Sequence, residues 1–142
     1  MFLDIIDIQI LELLRENARQ SLTDIASQLN MTPAAVKYRI QRLIESGIIY
    51  KFTIVIDRKK IGYEISAFLI INAVSKIYIS SIVKYLKQIP EISKITILMG
   101  DPDIISEVAV TNMNNFIEFL KKISQIEEIQ TFKTWFVTDI VH

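Results

Sequence analysis

The stretch Thr32-Pro33-Ala34-Ala35-Val36-Lys37-Tyr38-Arg39-Ile40-Gln41-Arg42-Leu43-Ile44-Glu45-Ser46-Gly47 decides how the N-terminal part of the chain is read. Threonine is a helix-capping residue, and Pro33 fits a first helical position, where its missing N–H costs nothing. Gly47 supplies the left-handed conformation that closes a helix. Val36, Ile40, Leu43 and Ile44 recur at helical spacing and mark one buried face. At about 100° per residue the opposite face carries Ala34, Ala35, Tyr38, Gln41 and Arg42, with Lys37 and Arg39 on its flanks. Small residues followed by long donors suit a helix that enters the DNA major groove and reaches bases and phosphates. Taken alone, the same stretch also fits a surface amphipathic helix with a solvated basic face.

The residues before it separate these readings. From Asp4 to Glu16, Ile6, Ile10, Leu13 and Leu14 repeat at the helical period, with a cap near Asp4 and acids in the first turn. After a polar break at Asn17-Ala18-Arg19-Gln20, the run Ser21-Leu22-Thr23-Asp24 has a capping-box pattern, with Asp in place of Glu. It opens a short helix through Leu29 whose inward residues are Leu22, Ile25, Ala26 and Leu29. Asn30-Met31 makes the turn into the next helix, Asn being tolerant of positive φ. Three helices with a tight turn between the last two, and a small Ala26 where they cross, form a helix-turn-helix, with double-stranded DNA as the expected partner. Ala34, Lys37, Tyr38 and Gln41 are the candidates for base contact. Arg39, Arg42, Ser21 and Thr23 are the candidates for phosphate, and Thr32 and Ala35 complete the DNA-facing set. Arg39 also has a structural role open to it, pairing with Asp7 on the first helix.

At 142 residues the chain is long enough for one medium domain or two small ones, and 51% hydrophobic residues argue against disorder. No apolar run approaches the ~18 residues of a membrane helix, so no membrane partner is expected. The opening MFLDIIDIQI carries acids and no basic segment, unlike a secretory signal, which makes a cytoplasmic location the expectation. With no cysteine, thiolate nucleophiles and cysteine zinc sites are excluded, and the one histidine is His142. No metal, cofactor or catalytic residue is therefore expected. The net charge of zero hides an uneven distribution. Between Thr32 and Lys60 seven cations face two acids, Glu45 and Asp57, a local +5, whereas the remainder from Ile61 onward carries −2. That is the pattern of a binding module attached to something else.

Ile48 to Asp57, IIYKFTIVID, is β-branched and aromatic and reads as a strand, either a wing or a connecting ribbon. Arg58-Lys59-Lys60 is either a phosphate contact or a solvated basic turn. Ile61-Gly62-Tyr63-Glu64 marks a boundary, so the chain divides into a helix-turn-helix at 1–49, a strand and linker at 50–64, and a second domain at 65–142. In that domain Ser66–Val74 is apolar enough for a central strand, and Ile79, Ile82, Val83 and Leu86 define a helix ended by Pro90. Ile92–Met99 and Ile104–Thr111 flank the turn composition Gly100-Asp101-Pro102-Asp103. Met113, Phe116, Ile117, Leu120 and Ile123 define a second helix, and Ile129–Thr138 the last strand. The order βαββαβ is the ferredoxin-like split motif, one sheet with two helices on one face, so the fold class is α+β. Apolar residues on the other face call for cover, which a second copy of the chain supplies: a homodimer.

Over essentially its whole length the chain resembles the Lrp/AsnC, or feast/famine, regulators of bacteria and archaea. The family's opening LDxxDxxIL stands here as Leu3-Asp4-Ile5-Ile6-Asp7-Ile8-Gln9-Ile10-Leu11. Arg19, the pair Ile25-Ala26, and Arg39, Arg42, Leu43, Gly47 and Ile49 follow in the family's order. Asp57 and Gly62 match its linker, and Gly100-Asp101-Pro102-Asp103 its GDxD turn. The resemblance implies a winged helix-turn-helix joined by a strand to a ligand-sensing domain, in dimers that assemble into tetramers or octamers. It also implies a small effector, usually an amino acid, held between dimers near Gly100, Asp101, Asp103 and Thr134 in the last strand. A carboxylate such as Asp101 suits an α-ammonium, and turn N–H groups suit an α-carboxylate. The bland alternative is that Gly and Asp are simply what a hairpin turn requires. The family's TxT pattern in the last strand is altered, with Phe132 where the first hydroxyl is expected; Thr131 is one residue out of phase. An effector-free architectural DNA-coating protein therefore stays open beside the effector-sensing regulator. Catalysis does not, because no nucleophile, base and orienting group can be assembled.

Overall fold

Asp4 caps the first helix as its spacing predicts. The computed structural model describes residues 2–140; the lone histidine, His142, lies outside them. The chain forms two compact units, Met1–Val55 and Ile56–His142.

The first unit contains α1 (Ile5–Glu16), α2 (Leu22–Gln28) and α3 (Pro33–Glu45). Its helix ends are built from the capping residues in the sequence. Asp4 and Asp7 form a reciprocal capping box at α1, Ser21 Oγ accepts the Asp24 N–H at α2, and Thr32 Oγ1 accepts the Ala35 N–H at α3. At α2 the box closes differently from the expected form, because the Ser21 hydroxyl itself donates to Asp24 Oδ2 at 2.6 Å. Asn30 takes φ 51° in the turn before α3, and Gly47 takes φ 73° just after it. The core of this unit joins Ile10 and Leu14 of α1 to Ile25 and Ala26 of α2 and Val36 and Leu43 of α3. Ile44, expected on the buried face, is 39% exposed. It lies at the margin of the stripe, in the last turn, where few neighbours reach it.

The expected strand over Ile48–Asp57 does not form. β-Branched composition supplies propensity, but a strand also needs a neighbour for its N–H and C=O groups, and among its described residues the first unit has no other strand to offer. Tyr50, Ile54 and Val55 are accordingly exposed.

The second unit contains β1 (Ile65–Ala73), α4 (Ile79–Leu86), β2 (Ile92–Ile97), β3 (Ile104–Val110), α5 (Met113–Ser124) and β4 (Ile129–Phe136), the βαββαβ order read from the sequence. The four strands form one antiparallel sheet in the order β2-β3-β1-β4. Ala67, Leu69, Ile71 and Ala73 of β1 pack with Ile82 and Leu86 of α4 and with Phe116, Phe119 and Ile123 of α5. Period-2 alternation sends Phe68, Ile70 and Asn72 to the opposite face. Cross-strand register places Trp135, Lys133 and Thr131 of β4 beside them, as Phe68–Trp135, Ile70–Lys133 and Asn72–Thr131 pairs. Lys122 on α5 holds Glu91, just before β2, at 2.7 Å. Among the described residues, no helix is long and apolar enough to cross a membrane.

Candidate nucleic-acid interface and the Gly100 turn

α3 buries Val36 and Leu43 completely, which turns the other side of the helix outward. Ala34, Lys37, Tyr38 and Gln41 are exposed, whereas Ala35, Arg39 and Arg42 are half-buried. Tyr38, at 64% exposure, stands well clear of the core. The Arg42 guanidinium lies 5.9 Å from its ring centroid, the i,i+4 spacing bringing a cation over an aromatic face. Gln41 donates to Glu45 Oε1 at 2.9 Å, so its amide is held along the helix axis. Thr32, Ser21 and Thr23 are exposed at the starts of α3 and α2. The Thr32 and Ser21 hydroxyls serve as caps, and that of Ser21 both accepts and donates within its own turn.

Arg39 takes the structural role open to it. Its Nη1 lies 2.7 Å from Asp4 Oδ2 and 2.7 Å from Asp7 Oδ1, with the arginine side chain 21% exposed and that of Asp7 only 3%. The Asp7 N–H and then the Arg39 guanidinium hold the Asp4 carboxyl below its usual range. The same bonds, to Asp4 and then Asp7, raise Arg39 above its ordinary value. The guanidinium is thus shared between two carboxylates through Nη1 and neutralised locally.

In the second unit the hairpin between β2 and β3 gathers Gly100, Asp101 and Asp103. Gly100 has φ 139°, which L side chains rarely adopt, so the turn needs glycine there. Asp103 is buried, and its Oδ2 accepts the Ala73 N–H at 2.9 Å. Asp101 Oδ1 accepts from Asn72 Nδ2 at 2.9 Å, and Asn72 Oδ1 in turn accepts the Asp103 N–H at 3.2 Å. The hairpin reading of this turn is thus satisfied in full, and only one of the two acids stays exposed.

Asn72 is the residue that sequence reasoning missed. A lone amide in an otherwise apolar strand was the available signal; it sits where the β1–β4 register shifts, between Asn72 and Ala73. Thr134 is not brought to the turn. It pairs with Leu69, on the helix-covered face, four residues or roughly 13 Å along β1 from Ala73. Phe132 pairs with Ile71 and packs against the same core. Among the described residues, no group of histidine, cysteine or carboxylate side chains is placed to hold a metal ion.

Residues 3–50 match the winged helix-turn-helix DNA-binding family, and residues 66–142 match the Lrp/AsnC ligand binding domain. The chain is 35% identical over 139 residues to an HTH-type transcriptional regulator of Pyrococcus abyssi, covering 97% of this chain and 87% of that one. It is also similar to the solved structure of AsnC from E. coli, with 26% identity, a TM-score of 0.85, and 99% and 95% of the two chains covered. A transcriptional regulator of Neisseria meningitidis, solved as an L-Met complex, shares the fold at 22% identity and a TM-score of 0.88, with 99% and 93% covered.

Proposed function

Because the chain belongs to the Lrp/AsnC family of transcriptional regulators, which are not enzymes, and carries both its DNA-binding helix-turn-helix and its ligand-binding domain, we propose that it is a sequence-specific regulator whose assembly responds to a small amino acid. The single observation that carries the reading is the outward face of α3. Ala34, Lys37, Tyr38 and Gln41 project opposite the fully buried Val36 and Leu43, on a helix whose start is capped by Thr32. Alanines at the leading end let the helix approach the groove floor, and the longer side chains behind them reach base edges. Arg42, with Ser21 and Thr23 at the start of α2, fits phosphate contacts that set register. Ala35 lines the approach. Residues 1–49 are the DNA-binding domain in this reading, 50–64 the linker, and 65–142 the sensing and assembly domain.

The sheet face without helices supports a homodimer. Phe68 and Trp135 stand side by side on it at 38% and 59% exposure, and a second copy of the same face covers them by two-fold symmetry. Two α3 helices then read half-sites about one helical turn, roughly 34 Å, apart. Dimers join into tetramers or octamers, and the effector binds beside Gly100, Asp101 and Asp103; that the Neisseria protein of the same fold was solved with L-Met supports an amino acid as its class. Thr134, the other residue the family resemblance assigns to this site, pairs with Leu69 on the helix-covered face, so the turn residues carry the site in this reading. Effector binding acts by moving the DNA-binding heads relative to one another.

Light scattering of the full chain, titrated with each of the twenty amino acids, tests this reading. A change of mass or shape with one of them supports effector sensing. An oligomer indifferent to all twenty points to the effector-free architectural protein, and a monomer overturns the dimer.

A further inference from the structure

The apolar core that α3 shares with α1 and α2 sets the roll of α3 through side-chain packing. Ile10, Leu14, Ile25, Ala26, Val36 and Leu43 form that core, and their contacts are non-directional. Reading a base edge is sensitive to small errors of roll. With side-chain tips about 6 Å from the axis, a roll of about 20° moves them roughly 2 Å. A hydrogen bond drawn from about 2.9 Å to nearly 5 Å is lost. A directional contact between α1 and α3 sharpens the roll that packing sets.

The cluster of Asp4, Asp7 and Arg39 is directional. Each of its four carboxylate oxygens has one partner. Asp4 Oδ1 accepts the Asp7 N–H at 2.8 Å, and Asp7 Oδ2 accepts the Asp4 N–H at 3.2 Å. The remaining two, Asp4 Oδ2 and Asp7 Oδ1, both take Arg39 Nη1 at 2.7 Å. The capping box therefore does two things. It starts α1, and it locks two carboxylates as a rigid acceptor pair with one position for the guanidinium. Asp7 is 2% exposed, so leaving it unpaired is costly, and the bond to Arg39 is enforced. Arg39 lies next to Tyr38 and two residues before Gln41, so fixing it fixes them.

We propose that Asp4 and Asp7 are positioning residues for DNA reading: through Arg39 they sharpen the roll of α3 and thereby the places where Tyr38 and Gln41 meet base edges. The proposal rests on the DNA-binding reading above and adds residues that touch no DNA. It assigns Arg39 to orientation and not to phosphate.

The two roles separate by charge. Replacing an acid by its neutral amide near DNA strengthens binding through electrostatics alone. A positioning role predicts the reverse on the specific site. The probe is a duplex enriched by the wild-type full chain from a random-sequence library, compared with a shuffled duplex of the same composition across a salt series. Asp4→Asn keeps an N-cap of equal strength, so it reads the loss of the charged bond in a folded protein. We expect affinity for the enriched duplex to fall about fivefold in Asp4→Asn and about tenfold in Asp7→Asn and Arg39→Ala. Affinity for the shuffled duplex is held or raised in the two Asp variants, and the salt slope of Arg39→Ala is unchanged. If Arg39→Ala lowers the slope by about 1 on both duplexes, Arg39 is a phosphate contact and the proposal is overturned. An unchanged ratio of specific to shuffled affinity in Asp4→Asn overturns it as well. A wild-type chain that enriches no sequence overturns the proposal together with the DNA-reading premise, an outcome distinct from the other two.

Discussion

Asn72 holds both sides of the Gly100 turn, donating from Nδ2 to Asp101 Oδ1 at 2.9 Å and accepting the Asp103 N–H at Oδ1 at 3.2 Å. One amide on β1 thus fixes the acid that stays exposed and the backbone beside the acid that is buried. Asn72→Ala removes both bonds at once. Unfolding free energy should fall by about 1–2 kcal/mol, read from urea denaturation. Any amino-acid response seen by light scattering in the wild type should weaken in the same variant, because Asp101 loses its anchor. A variant with wild-type stability and response would show that the turn holds its own shape.

Tyr38 and Arg42 share one exposed patch but differ in role. Arg42→Ala should weaken binding to enriched and shuffled duplexes alike and reduce the salt slope by about 1, as the loss of one phosphate contact does. Tyr38→Ala should lower affinity for the enriched duplex about tenfold and leave the slope unchanged, since a neutral ring releases no counterion. Gel-shift titrations at several salt concentrations measure both. Unchanged specific affinity in both variants would mean that this face of α3 does not read DNA.

Two carboxylates make stability depend on acid. Asp4 is held below its ordinary 3.8, by the Asp7 N–H and then Arg39. For Glu91, burial is the largest single influence and pushes up, but the bond from Lys122, the backbone N–H bond of Glu91 itself and the Lys122 charge together outweigh it and leave the carboxyl below 4.5. A lowered native value means that the unfolded chain binds protons first, so stability rises with pH across the interval. Each contribution is complete above the ordinary value and is lost as pH falls through the native one. Urea midpoints should therefore decline below about pH 4.5, and Asp4→Asn and Glu91→Gln should each flatten part of that decline. Parallel curves for wild type and both variants would remove these two groups as the cause.

Ser106 is fully buried, and its hydroxyl has no hydrogen-bond partner among the described residues. It points to the helix-covered face, in register with Leu69 and Ile95. A buried hydroxyl without a partner carries its full desolvation cost. Ser106→Ala should thus stabilise the protein by about 1 kcal/mol, seen as a higher thermal midpoint. A lower midpoint would indicate that the hydroxyl is satisfied in solution.

The helices of this protein and their starts were legible in the sequence. Helical periodicity spans three to four residues, and a capping side chain reaches only two or three positions along the chain, so Asp4, Ser21 and Thr32 declare themselves without knowledge of the fold. The βαββαβ order was legible for the same reason, together with Gly100, whose turn demands positive φ. The segment Ile48–Asp57 was misread because propensity is local whereas a strand depends on a partner.

What only the tertiary structure decided concerns groups distant in sequence and adjacent in space. Arg39 had two roles open to it as a residue type. Its pairing with Asp7, thirty-two positions away, follows from how α1 and α3 pack. Asn72 gave no sign of its link to Asp101 across twenty-nine positions. Thr134 lay in the matching strand, yet register turned it toward the helices. The sequence by itself determined which elements form and which face of α3 is polar, because these depend on neighbours within a turn. The partners of the polar groups depend on packing and strand register, which the whole fold sets.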